Sequence, residues 1–225
     1  MIFILFMIQD DLVYMENEQL LGEYVQTDVG KILVGPNGSA RGREWIFGQF
    51  DASVLPACML MFDKSDIKAT SQGDPVMVAR TISKKVNAYN ANGYKEELNG
   101  ILFGRWDGDY VDGVAPSAWT GSLPILEQYL DTNGECVKYG QCWVFAGAVG
   151  TICRALGLPT RVVTNIVSAH DTNVSLSINH YYDENMQELP DLPKGYGGWQ
   201  AVDGTPQEES NGVYRCGPAS VEAIK

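Results

Sequence analysis

From Trp143 to Leu156 every residue except Thr151 and Arg154 is apolar or small, and Gly157 and Pro159 follow directly. The stretch predicts a helix that ends in a left-handed glycine cap, with a proline barring continuation. Its start is equally constrained. Tyr139-Gly140-Gln141-Cys142 places a thiol where a glycine-containing turn hands over to the helix. A cysteine there feels the positive end of the dipole and unpaired backbone N–H groups, which favour thiolate over thiol. That is one way to make a nucleophile near neutral pH. A cysteine in an apolar run is more often a small buried hydrophobe, so the flanking residues must decide.

The run Tyr139 to Ala146 resembles the active-site signature of the animal transglutaminases. Further blocks resemble that family in its own order. Upstream these are Glu23-Tyr24-Val25, Gly48-Gln49-Phe50, Gly104-Arg105-Trp106-Asp107 and Pro116 to Ser122. Downstream they are Arg161 to Asn165, Ser168-Ala169-His170-Asp171, Gly198 to Asp203, Thr205 to Glu208 and Cys216 to Ser220. One short motif would be weak; many in order are specific. Gln141-Cys142-Trp143 alone would also fit a papain-type protease, but the flanking blocks do not. The resemblance implies an α+β, papain-like fold, in which a central helix bearing the cysteine packs on an antiparallel sheet. It covers residues 11–225 as a catalytic core, behind an apolar stub over 1–10. The family's N-terminal β-sandwich and C-terminal barrels have no counterpart, so the chain reads as a truncated core.

At 225 residues one compact domain is the default. Twenty-eight acidic against 16 basic residues give a net charge of −12. With no basic cluster, this argues against nucleic acid and anionic membranes as partners and is compatible with divalent cations. Five cysteines without CxxC or zinc-type spacing read as free thiols of a reducing compartment. Met1 to Ile8 is apolar but too short to span a bilayer, and it lacks the basic region and cleavage site of a leader. The expected location is cytoplasmic.

Local patterns predict an acidic, partly helical lead-in over Leu12–Tyr24 and an edge strand over Val25–Gly35 before a Pro36-Asn37-Gly38 turn. Helices are expected over Val76–Val86, after Pro75, and over Leu123–Leu130, with Ser122 as N-cap. Asn87–Asn99 reads as a surface loop. Strands are expected over Arg161–Val167, Leu176–Tyr182 and Trp199–Val202.

The resemblance implies roles for particular residues. Cys142 matches the nucleophile. Trp106 matches the tryptophan whose indole N–H, with the Cys142 N–H, would steady a tetrahedral oxyanion; such a donor is worth about 10²–10³ in rate. Asp203 matches the carboxylate that orients a catalytic histidine. The histidine itself has no match. His170 belongs to a block leading into a calcium site, and His180 sits on what reads as the neighbouring strand. The family's histidine lies in a Trp-Asn-(Phe/Tyr)-His-x-Trp-x-Glu block. Cys142 and Asp203 are about twenty residues closer in sequence than in the family, and the gap falls between Asp183 and Asp191. For His180 to substitute, its strand would have to shift register.

Asp171, Asn173, Ser175 and Ser177 alternate as oxygen donors and match one calcium site of the family, short of an acidic ligand from the missing segment. Asn87 to Asn92 corresponds to a second site but lacks its aspartates. The implied activity is acyl transfer from protein glutamine to a lysine amine or small primary amine, giving isopeptide cross-links. The chain is expected to be inactive or feebly active without its general base. The rival reading is a non-enzymatic structural or binding relative.

Overall fold

The structure is a computed structural model that describes residues 12–35, 38–88, 100–164, 200–205 and 219–220. In chain order its elements are α1 (Glu18–Leu21), β1 (Val29–Val34), β2 (Arg41–Ile46), α2 (Val54–Asp63), α3 (Pro75–Val86), β3 (Leu102–Gly104), α4 (Leu123–Asp131), β4 (Val137–Gly140), α5 (Cys142–Ala155), β5 (Gln200–Ala201) and β6 (Ala219–Ser220).

Helix α5 is the centre of the domain. Val144, Phe145, Ala148, Val149, Ile152 and Cys153 are all buried, and the helix packs on α2, α3, β1 and β4. It has no polar face, so only a position surrounded by protein suits it. Its end follows the sequence: the Gly157 N–H donates to the Arg154 carbonyl and the Leu158 N–H to the Cys153 carbonyl. These two bonds are a Schellman closure, with Gly157 at φ +83°. The two polar exceptions both staple the helix to the β2 side. Thr151 Oγ1 donates to the Phe47 carbonyl at 3.1 Å, and the Arg154 guanidinium lies 4.2 Å from the centre of the Phe47 ring.

Sheet is sparse among the described residues. β1 and β2 form an antiparallel hairpin with Gly30 opposite Trp45, and β5 pairs antiparallel with β6. β3 and β4, the pair leading into α5, run parallel, unlike the antiparallel expectation. α3 begins one residue before the expected Val76, with Pro75 in its first turn, and is capped by Asp74, which the sequence reading did not single out: its Oδ1 accepts the Val76 N–H at 2.9 Å.

Three local expectations change. Ser122 stands at the N-cap of α4 but makes no side-chain cap bond; its Oγ instead accepts from Trp45 Nε1 at 2.9 Å, satisfying a fully buried indole. The strand expected from Val25 starts at Val29, because Gly22–Gln26 continues α1 as a π-helical turn. Arg161–Thr164 is not a strand. Beside it, single bonds run from the Thr160 N–H to the Tyr24 carbonyl and from Thr164 Oγ1 to the Leu33 carbonyl, and they make no ladder. The strand expected over Trp199–Val202 is found as β5 (Gln200–Ala201), whereas Leu176–Tyr182 and most of the Asn87–Asn99 loop fall outside the described residues. None of the described helices is long and apolar enough to cross a membrane.

Candidate active site

Cys142 is the first residue of α5 and is exposed. The N-cap residue before it, Gln141, is extended and leaves its side chain free of capping. That amide is committed elsewhere: Nε2 donates to the Arg105 carbonyl and to the Tyr110 hydroxyl, both at 3.0 Å. The Arg105 N–H in turn donates to the Gly140 carbonyl at 3.2 Å. Both polar groups of the Arg105 backbone are thus tied to the two residues before Cys142. Trp106, the next residue in the chain, is 53% exposed.

The loop carrying Trp106 is locked by charge. Arg105 Nε meets Asp107 at 2.9 Å, Nη2 meets Asp109 at 3.3 Å, and Nη1 meets Asp112 at 3.3 Å and the Tyr139 hydroxyl at 2.8 Å. Its guanidinium also lies 5.0 Å from the centre of the Tyr139 ring. Lys138 Nζ reaches Asp112 at 2.8 Å, and the Tyr139 hydroxyl donates to the same carboxylate. The Lys138 bond first, then that of Tyr139, holds Asp112 down to about 2. Sequence reasoning missed this network. Its trace is the alternation of charge in Arg105, Asp107 and Asp109, but the partners Lys138 and Tyr139 lie about thirty residues on.

Asp203 arrives from far along the chain. Its Oδ1 accepts the Thr205 N–H at 2.8 Å, making a tight turn. Gly204 in that turn presses on the helices: a Cβ there would lie 2.7 Å from Val149 Cγ2 of α5 and 3.5 Å from Val86 Cγ1 of α3. The close approach brings the Asp203 charge within reach of the Cys142 sulfur.

The helix start does not make that sulfur acidic, contrary to the sequence expectation. Desolvation comes first and raises the thiol pKa. The Trp143 N–H lowers it, the Asp203 charge raises it again, and the net shift is upward. The backbone N–H groups of the helix start therefore act in the expected sense but are outweighed. In the following residue, Trp143 Nε1 is buried and has no hydrogen-bond partner among the described residues, and the Arg43 guanidinium stands 6.0 Å from the ring centre.

The structure therefore brings the Asp203 charge to bear on Cys142 and ties the residue before Trp106, Arg105, to the two residues before Cys142. His170, His180 and the candidate calcium ligands Asp171, Asn173, Ser175 and Ser177 lie outside the described residues. Among the described residues, no three His, Cys, Asp or Glu side chains are grouped to hold a metal ion.

A family model described as "Transglutaminase-like superfamily" matches residues 126–204, which include both Cys142 and Asp203. The chain is 50% identical to the hemocyte protein-glutamine gamma-glutamyltransferase of Tachypleus tridentatus, over 96% of this chain and 30% of that protein. It is 43% identical to the human coagulation factor XIII A chain, over 96% of this chain and 31% of the relative. The crystal structure of red sea bream transglutaminase superposes with a TM-score of 0.76 at 41% identity, over 96% of this chain and 36% of that one. The chain thus spans about a third of the length of the proteins it matches. The Tachypleus comparison runs over 238 residues but uses 96% of 225, about 216, so about 22 aligned positions have no residue here. Over nearly its whole length, this chain belongs to the transglutaminase family.

Proposed function

We propose that the chain carries the nucleophile, oxyanion donor and orienting carboxylate of a protein-glutamine γ-glutamyltransferase, without an efficient general base. The observation that supports this reading is that Cys142 stands exposed at the start of α5, under the charge of Asp203, with the backbone of Arg105, next to Trp106, bonded to the two residues before it. In the reaction, the Cys142 thiolate attacks the γ-carboxamide carbon of a protein glutamine. The C–N bond breaks and the nitrogen leaves as ammonia after taking a proton. A lysine or small primary amine then attacks the thioester, forms the isopeptide and returns the thiol. Trp106 with the Cys142 N–H steadies both tetrahedral oxyanions. The fold this implies is papain-like, supported by the central, cysteine-bearing α5.

The absence of a base is supported by the alignment, in which about 22 positions lack a residue here, and by the sequence, which has no match to the family's histidine block. Acid–base catalysis contributes about 10²–10⁴-fold, so amine incorporation into a glutamine-bearing protein should be near background. Inserting a Trp-Asn-Phe-His-x-Trp segment between Asp183 and Asp191 should raise it by orders of magnitude, and His180→Ala in the unmodified chain should change nothing. Robust activity abolished by His180→Ala would make His180 the base and overturn this account. A folded insertion variant that stays inactive would favour a structural, non-enzymatic role.

The same reading assigns Asp171, Asn173, Ser175 and Ser177 to a calcium loop. With one formal charge to offset dehydration of the ion, binding should be weak. Calorimetric titration giving submicromolar affinity would contradict that ligand set, as would no binding at millimolar calcium.

A further inference from the structure

A cavity of about 310 Å³ opens on the opposite part of the domain, with Glu23, Thr27, Lys31, Phe47, Arg154 and Arg161 in its wall. Arg154 is twelve residues further along α5 than Cys142, about 18 Å at 1.5 Å per residue, so this is a separate place. Three cationic side chains face one carboxylate there, in a chain whose net charge is −12.

Arg154 is the anchor. It is only 5% exposed. Its Nε donates to the Thr160 carbonyl at 2.9 Å, its Nη1 donates to the Thr27 carbonyl, and Phe47 covers one face. Among the described residues Nη2 has no hydrogen-bond partner, and no carboxylate stands within 4.0 Å of the guanidinium. Desolvation disfavours its charge more than Glu23 and Cys153 favour it, yet a guanidinium cannot shed its proton in a protein. Such a cation calls for a counter-charge. Glu23 supplies little of it, because its contact with Arg161 is 3.8 Å long and half exposed. Lys31, also exposed, makes no ion pair among the described residues.

We propose that this cavity binds a small phosphate-bearing molecule through Arg154 Nη2, Lys31 and Arg161. Two uncompensated positive charges favour a multiply charged anion over a single carboxylate, and arginine forks match phosphate oxygens. The volume sits at the small end of ligand pockets, about 300–1,000 Å³. A nucleic acid or an acidic protein surface would meet the repulsion of the whole chain as well as the attraction of the pocket.

The test is calorimetric titration of the full chain with inorganic phosphate and pyrophosphate, at ionic strength fixed with chloride. Saturable one-site binding is expected, tighter for pyrophosphate. The Lys31→Gln, Arg161→Gln double variant should weaken it at least tenfold. Both side chains are exposed, so the fold survives, and a thermal melt confirms that independently of Arg154. Alkylation of Cys142 should not respond to phosphate, so this site and the proposed enzymatic one fail independently. Binding that is absent at tens of millimolar, or unchanged in the double variant, would overturn the proposal. Succinate or citrate binding as tightly as pyrophosphate would do so too, because the pocket would then be a seat for carboxylates.

Discussion

Replacing Gly204 by alanine should destabilise the domain modestly and make Cys142 more reactive. The new methyl would start 2.7 Å from Val149 Cγ2, whereas carbons rest at about 3.5–4.0 Å. Something must move by about 1 Å. Val149 belongs to the central helix, packed from all sides, so the Asp203–Thr205 turn is the softer partner. Overpacking of this kind costs about 1–3 kcal/mol. The reduced freedom of alanine in the unfolded chain offsets about 0.4–1 kcal/mol of that. The net loss is at most about 2.6 kcal/mol and centred at about 1.3, or a Tm lower by about 3–5 °C at the centre and about 10 °C at most at this size. As the turn recedes, so does the Asp203 charge that helps keep the thiol protonated. The thiolate fraction at pH 7 therefore rises, and alkylation of Cys142 with it. Timed iodoacetamide labelling read by peptide mass spectrometry measures this, with Asp203→Asn setting the upper limit. A lower Tm with unchanged labelling, while Asp203→Asn speeds it, would show that the turn had not moved. If Asp203→Asn also left the rate unchanged, the carboxylate would not act on the sulfur at all.

Two other outcomes follow from the same packing. Of the four described thiols, Cys142 should label fastest and the half-buried Cys136 next, with Cys58 and Cys153, pushed to about 12 by burial, slowest; faster labelling of Cys58 would sink the nucleophile assignment. Asp112, held at about 2 against an ordinary 3.8, stabilises the folded state above about pH 4 and loses that contribution as pH falls towards 2. Thermal melts of Asp112→Asn between pH 5 and 2 should therefore show a flatter acid limb than the parent, and identical limbs would mean that the pairing contributes nothing.

What the sequence made legible was local and punctuated. The ends of α5, its apolar faces and the start of α3 beside Pro75 are written within a few residues of where they act. The cap expected of Ser122 failed because a distant indole, Trp45, competes for the same hydroxyl. The strand expected at Arg161 failed because β-branched composition cannot supply a partner with which to form a ladder. At the site, a motif pointed to Cys142, Trp106 and Asp203, but the sign of the thiol shift was out of reach. It depends on desolvation and on a carboxylate 61 residues away in the chain. The Arg105 network was equally hidden, since charges that alternate along a loop do not name the strand on which they close.

All four described thiols are less acidic folded than free, and that bears on how the chain ages. Oxidation to sulfenic acid and beyond runs through the thiolate. At pH 7 a thiol with a pKa of about 12 is ionised in about one molecule in 10⁵. Folding thus withdraws Cys58 and Cys153 from peroxide chemistry almost completely, with no disulfide and no repair. Damage at those two positions can enter only through molecules that have opened. Their slow oxidation in a stored sample is therefore a running record of how often the central helix comes away from α2.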